Sequence, residues 1–181
     1  MSFARQRKLA TESELYEYAV NALARRMRTI AELKRMLRRR VDAESEIGQT
    51  LVELVTRRLK DQGYLSDLKY AALYSALRRD NEKFGRRRVI SDLKAKGVHG
   101  EVLDKAVESA FAEVDDQKQA REYLRRKRIE RPRNQKQAAR VFRQLVRAGF
   151  RSSTVFQILR KWDLDEEFLL ALEQDLPESI D

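Results

Sequence analysis

The chain has 181 residues, with 39 Lys and Arg against 29 Asp and Glu, a formal charge of +10, six glycines, two prolines and no cysteine. The lack of cysteine excludes disulfides and thiolate metal sites, and scarce Gly and Pro beside abundant Leu, Ala, Arg, Lys and Glu point to an all-α protein. No apolar stretch approaches the roughly 20 residues that span a bilayer, and the basic start, Met1 to Lys8, lacks the apolar run of a secretory signal, so a cytoplasmic protein is expected.

Residues 1–11 read as a flexible N-terminus. Thr11 with Glu14 gives a capping-box start to a first helix, from about Glu12 to Met27, with Leu15, Ala19, Leu23 and Met27 on one face. Thr29 with Glu32 starts a second, which presents Ile30, Leu33, Leu37 and Val41 to the core. After the connector Asp42 to Ser45, a third carries Ile47, Leu51, Leu54, Val55 and Leu59 to about Asp61, and Gly63 ends it as a left-handed cap. Ser66 or Asp67 caps a fourth, with Tyr70, Leu73, Tyr74 and Leu77. Asn81 to Gly85 breaks it, and a short fifth helix with Val89, Ile90 and Leu93 ends at Gly97. Val98 to Gly100 turns into a sixth, with Val102, Leu103, Ala106, Val107 and Phe111.

A seventh helix begins near Asp115, with Ala120, Tyr123, Leu124 and Lys127 facing inward, and Pro132 stops it for want of an amide donor. Asn134 with Gln137 starts the eighth, through Val141, Phe142 and Leu145 to Gly149. Ser152 or Ser153 caps the ninth, which carries Val155, Phe156, Leu159 and Trp162. From Asp163 the chain is acidic and holds Leu164, Phe168, Leu169, Leu170, Leu172 and Leu176, enough for a short tail helix packed on the preceding unit.

A phrase recurs along this series. Leu93-x-x-x-Gly97-Val98 returns as Leu145-x-x-x-Gly149-Phe150, with Val89 matching Val141, Leu103 matching Val155 and Val107 matching Leu159. Leu33, Leu37 and Val41 form a weaker copy without the glycine. Recurrence at about fifty residues marks stacked helical units, each too small to bury its apolar face alone. The expected architecture is an elongated tandem array of three three-helix, helix-turn-helix-like repeats, 12–65, 66–114 and 115–162, with the acidic C-terminal tail at 163–181. Such an array favours an extended gripping surface over a single pocket.

The basic residues cluster. Arg25, Arg26, Arg28, Lys34, Arg35, Arg38, Arg39 and Arg40 are opposed within their stretch only by Glu32. Arg86, Arg87 and Arg88 open a short helix, where positive charge opposes the macrodipole by roughly 0.3–1 kcal/mol, a local cost that hints at binding. Arg125, Arg126, Arg128 and Arg133 are candidate phosphate contacts within a longer basic stretch. A basic body suits a polyanion or an acidic groove on a protein. Tyr70, Tyr74, Phe142 and Phe156 read as core, and Tyr64 stands apart in a turn. His99 reads as a turn residue, because no cysteine or second histidine can complete a usual metal site. The glycines form no phosphate-binding fingerprint, and no carboxylate pair is marked as acid and base. No enzyme, cofactor or metal is expected.

Taken in order, the motifs resemble the RecX family. The resemblance rests on Tyr18-Ala19 with Leu23 and Arg26, on Arg28-Thr-Ile-Ala-Glu32-Leu33 with Leu37, and on Gly63-Tyr64-Leu65-Ser66-Asp67 with Tyr70-Ala71. Leu93-x-x-x-Gly97-Val98 and Phe142-x-x-Leu145-x-x-x-Gly149-Phe150 complete it, so that it covers about Leu15 to Trp162. The chain departs from the family in having Ser66-Asp67 where paired acids are common, and in lacking a glycine after Leu37. The resemblance implies a regulator that lies in the helical groove of the RecA–single-stranded DNA filament and suppresses ATP hydrolysis, strand exchange and stimulated repressor cleavage. The basic surface leads us to expect single-stranded or double-stranded DNA as a weaker, nonspecific partner. We expect a monomer with no membrane partner. The competing expectation is a direct nucleic-acid binder or transcription factor using a helix-turn-helix-like unit.

Overall fold

A computed structural model describes residues 8–162 and Phe168. Among them it holds nine helices and no strand: α1 (Glu12–Arg25), α2 (Ile30–Arg38), α3 (Glu46–Asp61), α4 (Asp67–Asp80), α5 (Arg86–Ala95), α6 (Gly100–Phe111), α7 (Asp116–Arg126), α8 (Gln135–Arg147) and α9 (Ser152–Arg160). The chain divides into two compact units. One comprises residues up to Ala71 together with Leu93–Leu103; the other comprises Ala72–Asp92 and the residues from Asp104 onward. The expected tail helix over 163–181 and most of the 1–11 segment lie outside the described residues.

In the first unit, α1, α2 and α3 close on Leu15, Ala19, Leu33, Leu37, Val41, Val52, Val55 and Leu59, all nearly or fully buried. Local chemistry sets the ends of these helices. The Thr29 hydroxyl accepts from Glu32 N at 3.0 Å while the Glu32 carboxylate accepts from Thr29 N, a complete capping box. Ser45 caps α3 by accepting from Gly48 N. Gly48 is buried, and the Asp42 carbonyl oxygen comes so near that a Cβ there would lie 1.9 Å from it. Gly48, Val52, Val55 and Leu59 face the core, while Ile47 (72% exposed) and Leu54 (45%) lie outside it, against the expectation that both are core.

In the second unit the core gathers Ala120, Tyr123 and Leu124 from α7, Val141, Phe142 and Leu145 from α8, and Val155, Phe156, Ile158 and Leu159 from α9. Phe142 and Phe156 lie 5.0 Å apart between ring centroids, and Tyr123 meets Phe150 edge-on at 6.0 Å. Phe168, beyond Trp162, is half-buried against the same core. Asp115 caps α7 and Asn134 caps α8. No side chain caps α9: its N-cap is Arg151, and Ser152 is already helical. Lys127, expected to face inward, is the exposed C-cap of α7. Leu73 and Leu77 on α4 are also about half exposed, so Tyr70, Ala71 and Ser75 carry that helix's buried positions.

Candidate functional site

The recurring glycine phrase is a helix end of fixed geometry. At Gly97 (φ 84°) the Val98 amide donates to Leu93 O at 3.0 Å and the Gly97 amide to Lys94 O at 2.9 Å. At Gly149 (φ 94°) the same pair is made by Phe150 to Leu145 and Gly149 to Val146. Both are Schellman motifs, which need a left-handed residue that glycine adopts without a Cβ clash.

Each of these turns receives the start of another helix. Within the first unit, the Thr29 hydroxyl at the N-terminus of α2 donates to Lys96 O at 2.7 Å, and a Cβ on Gly97 would meet Ala31 Cβ at 2.4 Å. Within the second, Gly85 N donates to Ala148 O at 2.8 Å and Arg87 N to Gly149 O at 3.2 Å, seating the start of α5 on the end of α8. Carbonyls left over at one helix end thus meet donors at another helix start, a side-chain hydroxyl in the first joint and backbone amides in the second, and opposite ends of two macrodipoles face each other. The turn after α2 has no helix seated in this way. There Leu9 N donates to Arg40 O at 2.7 Å and Lys8 Nζ to Val41 O at 2.7 Å, so an N-terminal segment covers it. The helix start nearest this turn is that of α3, where Gly48 lies against the Asp42 carbonyl oxygen, and no residue of the turn is left-handed.

Asp67 adds to the first joint. Its Oδ1 accepts from Ile30 N at 2.8 Å, so it serves the start of α2, while Ser66 caps α4 through Lys69 N. Burial pushes the Asp67 carboxyl above the ordinary carboxylate range, against the lowering effects of the Ile30 amide and Lys60. An acid with a raised folded pKa stabilises the fold most at low pH and loses that contribution as pH rises through the folded value. Asp67→Asn, which keeps the acceptor and removes the titration, is therefore expected to hold neutral-pH stability within about 0.5 kcal/mol and to flatten its acid-side pH dependence. Asp67→Ala should cost about 1 kcal/mol through the unserved amide. Urea unfolding across pH checks both.

The candidate arginines fall in two groups. In the first unit Arg25, Arg26, Arg35, Arg38 and Arg39 are exposed, and Arg28 is half-buried. Neighbouring cations are engaged: Lys34 pairs with Glu53 at 2.6 Å, and Lys96 with Glu32 at 3.2 Å. In the second unit Arg86 and Arg88 are exposed and Arg87 is half-buried. Arg88 pairs with Asp92 at 3.0 Å and lies over the Phe84 ring. The α8 carbonyls facing the start of α5 offset part of the macrodipole cost of these three arginines, so local electrostatics alone does not single them out. Arg125, Arg126, Arg128 and Arg133 are exposed, with Arg126 at 3.6 Å from Glu82.

Arg128 differs from the rest in its backbone. Its φ is 52°, and its turn repeats the Schellman pair, Ile129 to Leu124 and Arg128 to Arg125, with arginine where the other copies have glycine. Sequence reading missed this, because no glycine marks the helix end. A left-handed L-residue costs roughly 1 kcal/mol. We expect Arg128→Gly to raise stability by about that amount while weakening anion binding. A glycine variant no more stable in urea unfolding would contradict the strain.

Among the described residues, no cluster of His, Cys, Asp and Glu could hold a metal ion, and no helix is long and apolar enough to cross a membrane. No protein-family model matches the chain. Individual relatives do. The chain is 30% identical over 152 residues to Regulatory protein RecX of Trichlorobacter lovleyi, covering 82% of this chain and 96% of that one. It belongs to the RecX family. Regulatory protein RecX of Leptothrix cholodnii is 32% identical over 149 residues, covering 82% and 89%. The crystal structure of RecX from Lactobacillus salivarius matches the fold with a TM-score of 0.61 at 20% identity, over 85% of this chain and 97% of that one. The RecX family is one of regulatory proteins, and these matches cover about four-fifths of the chain.

Proposed function

We propose that this chain regulates the RecA recombinase by binding the RecA–single-stranded DNA filament along its helical groove, where it lowers ATP hydrolysis, strand exchange and stimulated repressor cleavage. The observation that carries this reading is membership of the RecX family over four-fifths of the chain. We take the units to be three three-helix repeats, 12–65, 66–114 and 115–162, on the recurrence of Leu-x-x-x-Gly at Leu93 and Leu145. Several modest contacts joined in series gain from effective concentration once the first has formed. A protein bridging neighbouring protomers hinders the rearrangements that accompany hydrolysis. The exposed arginines of both groups face filament acids or DNA phosphate. The protein acts as a cytoplasmic monomer in DNA repair and recombination.

The second reading, a direct nucleic-acid binder, is favoured by the net charge of +10 and the exposed arginines. Salt separates the two. Binding through phosphate alone falls steeply with salt, whereas groove binding depends on the assembled filament and its nucleotide state. Fluorescence anisotropy with labelled protein, comparing naked oligo-dT with filaments on the same DNA from 50 to 200 mM salt, is expected to give tighter and less salt-sensitive binding to filaments. Equal affinity and equal slope would favour the second reading.

A further inference from the structure

At the C-terminal end of α1, within the first unit, lies a groove of about 110 Å³ lined by Leu23, Met27, Arg28, Gly63, Tyr64 and Lys69. Its apolar lining is open: Met27 is 46% and Tyr64 66% exposed. The Tyr64 ring is not needed to close its turn, which the backbone already fixes through Tyr64 N to Leu59 O, Gly63 N to Lys60 O and the left-handed Gly63. Arg28 Nε is buried and has no hydrogen-bond partner among the described residues. A large ring and a thioether left to water beside two cations are therefore features that folding does not explain.

The composition points to a kind of partner. Aromatic residues, Met and Arg are enriched at the cores of protein interfaces, and a flexible thioether adapts to varied apolar groups. Nucleic-acid interfaces are more polar and more strongly charged than this apolar-floored groove. We propose that the groove docks an acidic segment of a protein partner, seating one aliphatic side chain between Met27 and Tyr64 and turning an adjacent carboxylate toward Arg28 and Lys69. The argument is charge complementarity with a cavity sized for a side chain, and it rests on the reading above that the partner is a protein filament.

The test uses the full chain, Tyr64→Ala and Lys69→Glu, each checked by thermal melting, and measures affinity for RecA filaments held on oligo-dT by a non-hydrolysable ATP analogue and for naked oligo-dT. Tyr64 and Lys69 are exposed, so melting temperatures should be unchanged. The expected result is a loss of filament affinity on the order of tenfold for each variant, with the naked-DNA affinity of Tyr64→Ala unchanged. Unchanged filament affinity in both variants, with the wild type binding normally, overturns the groove and leaves the filament reading intact. A parallel loss of oligo-dT affinity in Tyr64→Ala also overturns it, making the ring a base-stacking platform. Wild-type protein that binds filaments no better than naked DNA removes both.

Discussion

Gly149→Ala is expected to destabilise the chain by about 3 kcal/mol. Two independent penalties contribute. The residue sits at φ 94°, where an L side chain costs roughly 1–2 kcal/mol. The added Cβ would also lie 2.2 Å from Arg88 N and 2.7 Å from Gly85 O, both backbone atoms that cannot rotate aside, and such overpacking costs about 1–3 kcal/mol. Gly63 provides the control. It too is left-handed, at φ 75°, but a Cβ there meets nothing within 4 Å, so Gly63→Ala should show only the conformational penalty, about 1 kcal/mol. The difference between the two variants in urea unfolding reports the close approach of α5 to α8. Equal losses would mean that the joint can open without cost.

The second large effect concerns binding. Replacing Arg125, Arg126, Arg128 and Arg133 together with alanine is expected to reduce the slope of log affinity against log salt for single-stranded DNA by about 3, since each phosphate contact on a single strand contributes about 0.7. Stability should change little. All four are exposed, and the ion pair of Arg126 with Glu82 is partly exposed at 3.6 Å and of the kind that contributes at most about 1 kcal/mol. Anisotropy titrations at several salt concentrations measure the slope. An unchanged slope would show that these arginines do not meet phosphate and would return them to a solvated face.

The sequence made some of this readable and hid the rest for identifiable reasons. Helix starts were legible where capping is local: Thr29 with Glu32 spans one turn, and the complete box forms as expected. Helix ends were legible where glycine supplies the left-handed residue, at Gly63, Gly97 and Gly149. The end of α7 was not, because Arg128 holds that conformation without glycine. Core faces followed helical periodicity where three helices surround one another, as for Leu33, Leu37 and Phe142. The periodicity failed at Ile47 and Leu54, which stay exposed while Val52, Val55 and Leu59 of the same helix are buried, because which side of α3 meets α1 and α2 is set by tertiary packing. The joints were half visible. The repeat of Leu-x-x-x-Gly announced a shared unit, but that the glycine makes room for another helix start depends on packing between segments distant in sequence. Asp67 shows the same limit: its position suggested a cap for α4, and its carboxylate serves α2 instead. Of the candidate arginines, exposure of most was readable from the chain, whereas the half-burial of Arg28 and Arg87 came only from tertiary packing.

The most direct test of the central claim is the rate of ATP hydrolysis by RecA on single-stranded DNA, titrated with this protein beside a gel shift on the same DNA without RecA. Regulation through the filament predicts loss of hydrolysis at protein concentrations well below those that coat naked DNA. Inhibition that begins only once bare DNA is saturated would contradict it, and would make the protein a competitor for DNA.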